Sequence, residues 1–225
     1  MPFKTITKFG KKKKEIPEEF EEIMREEEIP GSIISVIKSR RSVRRYNKKP
    51  VDMKLLLEIF ESIKYSPSVG NCQPWEFIIV RNPKMKEHLV EACYNQMWML
   101  DAPVFIVACT NNKVAGAIYG ERGLKLYGIQ SVAAAIENIL LAAEALGLST
   151  CWVGAFSEIM VARFLECPGH VRPCAIITLG YSDVKPSAPD RQSMEDYVHI
   201  EKFGNSLIME KIKRESKPTY MKFKG

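Results

Sequence analysis

An α+β fold with helices packed on a central sheet is what this sequence predicts, on three observations. Four short runs, Glu76 to Val80, Val104 to Thr110, Thr150 to Val153 and Ala175 to Leu179, are rich in the β-branched and aliphatic residues that sheet positions favour, and helical patterns separate them. The segment from Leu126 to Leu146 carries Val132, Ala135, Ile136, Ile139, Leu140, Ala143 and Leu146 at helical spacing, with further Ala and Leu on its other faces. So little polar surface requires cover on more than one side, either as the core helix of one domain or with a partner subunit as a further cover. Finally, 225 residues at 46% hydrophobic and 27% charged suffice for one large domain with a substantial core.

In chain order, residues 1–30 form an extension: a lysine run, then an acidic amphipathic stretch from Pro17 to Glu28 with Phe20, Ile23 and Met24 as a narrow apolar stripe. It reads either as a helix laid on the main body or as a solvated appendage. Ile33 to Lys38 reads as a short helix. Asp52 is placed to cap another, Met53 to Lys64, whose buried face is Leu55, Leu56, Ile59, Phe60 and Ile63. The long alanine-rich helix stops at Gly147, where a left-handed residue is needed before the next strand.

Charge and cysteine usage exclude several classes. The formal net charge is +6, but the excess gathers in Lys4 to Lys14 and in the lysine-rich final segment, so the body is close to balanced. Aromatic interleaving of the basic runs is absent, which argues against a nucleic-acid partner. No early stretch joins a basic start to an apolar run and a small-residue cleavage site. Glu137, Asn138 and Glu144 interrupt the long helix as a membrane span, and the expectation is a cytoplasmic protein with no membrane partner. Cys72, Cys93, Cys109, Cys151, Cys167 and Cys174 never form Cys-x-x-Cys and read as reduced, structural thiols. Cys167-Pro-Gly-His170 has ligand-like spacing but no second pair, so no metal is assigned.

Two stretches carry chemistry. Ser39-Arg40-Arg41-Ser42-Val43-Arg44-Arg45 packs four guanidinium groups and two hydroxyls into seven residues. Such forks match a phosphate monoester bidentately, although an isolated run of this kind also suits a solvated basic turn. The loop from Tyr65 to Trp75 holds Pro67, Ser68, Asn71 and Gln73 between a helix and a strand. Its amides and hydroxyl are the groups that read a heterocycle's edge; the plainer alternative is a connector whose polar residues face water.

Arg-Arg-Ser-x-Arg and Ser-Pro-Ser-x-x-Asn-x-Gln-Pro-Trp, one helix apart and followed by a strand, together resemble the nitroreductase family of flavin enzymes. The resemblance runs from Ile33 to His199 and includes Asp101-Ala-Pro-Val opening a strand, the alanine-rich helix ending Ala-Leu-Gly-Leu, and Leu-Gly-Tyr before Arg191. It implies an α-β-α sandwich with a central mixed sheet, in an intertwined homodimer with FMN sites at the subunit interface. Residues 31–200 would be the FMN-binding domain and residues 201–225 a basic tail wrapping the partner subunit.

Carried over where residues match, the resemblance gives Arg40, Ser42 and Arg191 the FMN phosphate or ribityl chain, with Arg41 beside them. Arg44 takes the pyrimidine end of the ring. Pro67, Ser68, Asn71 and Gln73 would contact the flavin from the second subunit. Val153, Gly154 and Ala155 would form the turn whose backbone amide faces flavin N5; related enzymes often carry an acidic residue nearby, which this turn lacks. The implied reaction passes hydride from NAD(P)H through the flavin to an electron-poor acceptor such as a nitroaromatic or quinone, by a ping-pong mechanism. A non-catalytic FMN-binding or storage protein shares the same contacts. Dehalogenation is less favoured, because the span from His88 to Asp101 is too short for the lid that branch uses.

The chain lacks Gly-x-Ser-x-Gly, His-Glu-x-x-His, a P-loop and a dinucleotide-fold glycine pattern. Acceptor choice is expected in Tyr94 to Met99 and Asn111 to Tyr127. Met97, Trp98 and Met99 there either roof a substrate or belong to the core.

Overall fold

The computed structural model of the chain describes residues 32–205, so the lysine run, the acidic stretch and most of the basic tail lie outside the described residues. The chain divides into two compact units, the first ending at Pro186 and the second beginning at Ser187. The elements of the first unit follow in order: α1 (Ile33–Ser39), α2 (Met53–Ile63), β1 (Trp75–Val80), α3 (Pro83–Ala92), β2 (Val104–Asn111), α4 (Asn112–Arg122), a π turn (Gly123–Tyr127), α5 (Gly128–Ala145), β3 (Ser149–Val153), α6 (Glu158–Phe164) and β4 (Val171–Gly180). Within the second unit, Met194–Asp196 is a single helical turn, and the His199 and Phe203 rings meet edge to face at 4.4 Å.

The four strands run in the order β1-β2-β4-β3 and pair antiparallel throughout, with Ile78 opposite Val107 and Cys151 opposite Thr178. The parallel component that a mixed sheet requires is, among the described residues, an isolated bridge between Ser42 and Thr150. Residues Val104 to Thr110 of β2 are all buried, as expected of a central strand covered on both faces. Its side chains alternate between two cores. Val104, Ile106 and Ala108 join Leu56, Ile59 and Ile63 of α2 and the buried stripe of α5. Phe105, Val107 and Cys109 join Leu89 and Val90 of α3, Val161 of α6 and the buried pair Val43 and Tyr46. Period two in the strand and period 3.6 in the helices thus build a three-layer sandwich.

The helices begin where their caps place them. The Asp52 carboxylate accepts from the Lys54 amide at 2.9 Å, and Asn82 caps α3 ahead of Pro83 at its first turn. On α2 the fully buried positions are Leu56, Ile59 and Ile63, with Leu55 and Phe60 partly buried beside them. The expected long helix starts two residues late, because Leu126 and Tyr127 belong to the π turn, and it ends before Gly147 at φ 73. By length and composition the run Asn112–Ala145 would cross a membrane, but Val132, Ala135, Ile136, Ile139, Leu140 and Ala143 are buried in the core with the sheet and α2.

Burial of this kind sets the expected sensitivity to substitution. Ile139→Ala, at a side chain with 0% exposure, is expected to cost about 2–5 kcal/mol in urea unfolding. Asp52→Ala, which removes only a cap, is expected to cost about 1 kcal/mol in the same measurement.

Candidate functional site

The arginine stretch is not a solvated turn. After α1, residues 42 to 47 run along the sheet: the Val43 amide donates to the Thr150 carbonyl at 2.9 Å and the Asn47 amide to the Tyr181 carbonyl at 2.9 Å. Val43 and Tyr46 point inward. The Tyr46 hydroxyl donates to the Val43 carbonyl and shares a hydrogen bond with Thr178 Oγ1, both at 2.7 Å, and burial holds its pKa far above the usual phenol value. With those two anchored, Ser42, Arg44 and Arg45 are exposed. Local sequence and packing therefore present the basic side chains in a fixed row.

Each predicted residue can now be placed. The Arg40 Nε lies 4.0 Å from a Glu137 carboxylate oxygen on α5, and Ser39 beside it donates to Glu144 at 2.7 Å. Arg41 closes the end of α1, its Nη1 donating to the carbonyls of Lys38 (2.6 Å) and Arg40 (2.8 Å), while its buried Nε finds no protein partner. The Arg44 guanidinium stands over the Trp98 ring, 5.7 Å from its centroid. Burial raises the pKa of the Cys151 thiol on β3, and the charges of Arg44 and Arg40 with the Ser42 hydroxyl offset this only in part. Arg191 is exposed on the second unit.

Following β3, Val153 is buried, Gly154 and Ala155 are exposed, and a Cβ placed on Gly154 would come no nearer than 3.8 Å to the Trp152 indole nitrogen. The turn is tied to the segment before β2, because the Gln96 side-chain amide donates to the Ala155 carbonyl at 3.2 Å. That segment splits by residue: Met99 is fully buried, Met97 is exposed, and Trp98 is half-buried beneath Arg44. Sequence reasoning left Trp98 open between a substrate roof and the core, and gave Gln96 no role beyond its place in the stretch from Tyr94 to Met99. The Arg44-to-Trp98 contact has no local sequence signal because more than fifty residues separate the two.

The amide loop is built from left-handed backbone. Gly70, Asn71 and Gln73 have φ of 48, 55 and 50, and only the first is a glycine. Non-glycine residues held there cost of order 1 kcal/mol and concentrate at functional sites. Hydrogen bonds hold the shape: Ser68 Oγ accepts from the Gln73 amide at 3.1 Å, and the Gln73 side chain donates to the Asn71 oxygen at 3.2 Å. The Val69 amide donates to Ser131 Oγ on α5 at 3.2 Å, while Pro67, Asn71 and Gln73 are exposed.

Both predicted groups therefore hang on α5, but on different sides. At 3.6 residues per turn, Ser131 is about 120° around the axis from Glu137 and about 140° from Glu144. Ser39 and Arg40 on one hand and the amide loop on the other thus attach to different sides of α5. The buried Arg41 Nε, without a partner among the described residues, and the neighbouring Arg40, Ser42 and Arg44 fit a phosphorylated ligand, and the open space before Gly154 lets a flat ring approach backbone.

The sequence matches the Nitroreductase family pattern over residues 37–100 and 91–181, and the chain belongs to that family. A relative from Methanothermobacter thermautotrophicus, provisionally named NADH dehydrogenase/NAD(P)H nitroreductase, is 33% identical over 76% of this chain and 87% of its own. The FMN reductase [NAD(P)H] of Bacillus subtilis is 28% identical over 78% of this chain and 76% of its own. Among solved structures, a nitroreductase family protein from Clostridium novyi is 30% identical, covers 79% of this chain and 97% of its own, and superposes with a TM-score of 0.62.

The loop geometry makes a test of its own. A Cβ on Gly70 would overlap the Tyr119 hydroxyl. Gly70→Ala is expected to cost about 1–3 kcal/mol in urea unfolding, and removing the ring with Tyr119→Ala in the same chain should recover the steric part but not the backbone strain.

Proposed function

We propose that this chain is an NAD(P)H-dependent FMN oxidoreductase that reduces electron-poor acceptors, nitroaromatics or quinones, by a ping-pong mechanism at sites shared between two copies. The observation that carries the reading is the run from Arg40 to Arg45, laid beside β3 by the Ser42-to-Thr150 bridge and pinned through Val43 and Tyr46. Arg40 and Ser42, with Arg41 beside them, would grip the FMN phosphate. Bound there, FMN supplies the two-electron chemistry, taking hydride from NAD(P)H and passing it on to the acceptor.

The chain's own residues do the rest. Arg44 holds a fixed positive charge for the pyrimidine end of the ring, which favours the more negative reduced form. Trp98 keeps that guanidinium in place. Val153, Gly154 and Ala155 let backbone approach the ring without a bulky side chain blocking the face. Pro67, Ser68, Asn71 and Gln73 would close the site from a second copy, since the anchors of the arginine stretch and of the amide loop lie on different sides of α5. Exposed Ile33, Ile34 and Ile37 on α1 provide apolar area for such an association.

Purified protein is expected to show the visible absorption of flavin and to lose it when NADH or NADPH is added without oxygen. Steady-state kinetics with varied acceptor should then give parallel double-reciprocal lines. A colourless protein, a chromophore that neither nicotinamide bleaches, or intersecting lines would count against the respective parts. Arg44→Ala is expected to lower the midpoint potential of the bound flavin by about 30 mV or more, about 1.4 kcal/mol for a two-electron couple. Trp98→Ala should move it the same way by less, with Trp98→Phe near wild type; redox titration of all three variants measures this.

A further inference from the structure

Beyond the ring-contacting loop lies a cluster that no step above uses. The chain turns at Gly120 (φ 52, ψ −138) and enters the π turn Gly123–Tyr127, a wide helical turn that is rare and concentrates at functional sites. A side chain at Gly123 would run into the Ala115 carbonyl, so the turn is pinched against α4. This geometry brings the Tyr127 hydroxyl to 2.7 Å from Arg122 Nε, with the guanidinium 5.2 Å from the centre of the Tyr127 ring. Tyr127 meets Tyr119 edge to face at 5.4 Å, and the Tyr119 hydroxyl lies against Gly70.

A second link runs through Ser131, whose hydroxyl donates to the Tyr127 carbonyl at 2.8 Å and accepts from the Val69 amide at 3.2 Å. Arg122 is thus joined by contiguous contacts to the loop that would read the flavin. Its charge remains available. The adjacent Glu121 is taken by Lys125 at 2.6 Å, and the partner of Arg122 Nε is a neutral phenol, which orients the fork while leaving Nη1 and Nη2 outside that bond. A guanidinium held through Nε against one aromatic ring, with Nη1 and Nη2 outside that bond, is arranged to grip a carboxylate.

We propose that Arg122, positioned by Tyr127 and Tyr119, reads an anionic group on the acceptor, so that aromatic carboxylates bearing the reducible group are preferred over their uncharged counterparts. This rests on the flavin reading above. The test compares 4-nitrobenzoate with 4-nitrobenzamide, similar in shape and differing in charge, using the flavin-loaded enzyme and NADH. Wild type is expected to favour the benzoate in kcat/KM, and added salt should erode that preference by screening. Arg122→Gln should lower the benzoate-to-benzamide ratio at least fivefold, through KM for the benzoate, and Arg122→Lys should restore part of it. Tyr127→Phe, which frees the guanidinium, should lower the ratio by a smaller factor.

A ratio that ignores both salt and Arg122→Gln overturns the proposal. So does an equal fall for both acceptors, which would mark Arg122 as a support for the turn. A change confined to KM for NADH, with the acceptor ratio intact, also overturns it, because the anion read would then be a nucleotide phosphate. Wild-type protein without flavin would overturn the underlying reading instead, and this one with it.

Discussion

Helix α5 is the constraint on which the rest of the structure depends. Eight of its residues from Gly128 to Ala143 are buried, and the same helix supplies Ser131, Glu137 and Glu144 to the segments flanking the core. A helix enclosed by its own sheet and by α2 cannot rotate without exposing Ile136 or Ile139 to water, at roughly 1.5–3 kcal/mol for each side chain. Its orientation is therefore fixed by the core, and so are the positions of Ser131, Glu137 and Glu144, to which the two segments attach.

Packing also answers why a dense basic row is tolerated. Like charges held side by side repel, and the carboxylates near Arg40 and Ser39 offset this only in part, since exposed pairs contribute about 0–1 kcal/mol. The compensation is mechanical. Val43 and Tyr46 are buried between the exposed basic side chains, and two backbone hydrogen bonds to Thr150 and Tyr181 hold the row in place before any ligand arrives. Donors preorganised in this way would bind an anion without first losing their own freedom, unlike a flexible segment of equal charge.

Much of this was legible in the sequence, and the gaps have identifiable causes. The four strands and the helices from Ile33, Met53 and the alanine-rich segment announced themselves through period and caps. Strand β4 begins four residues earlier than expected because Arg172 and Pro173 disguise it; Pro173 sits opposite Cys109 where the register shifts at a bulge. Helices α3 and α6 went unpredicted although Asn82-Pro83 and Ser157-Glu158 carry start signals, since their apolar faces are short. The arginine row was legible as chemistry but not as a strand-like extension, because its anchors, Thr178 and Thr150, lie far along the chain. The contacts of Trp98 with Arg44 and of Gln96 with Ala155 are tertiary and had no local signature.

The central claim is that one flavin site needs the arginine row of one copy and the amide loop of another, and subunit complementation tests it most directly. One chain carries Ser42→Ala and Arg44→Ala; the other carries Asn71→Ala and Gln73→Ala. Each alone is expected to purify with little flavin, whereas the separated mixed dimer should hold one FMN in its single intact site. A mixed dimer with no more flavin than its parents would contradict the account, because both groups would then have to act within the same chain.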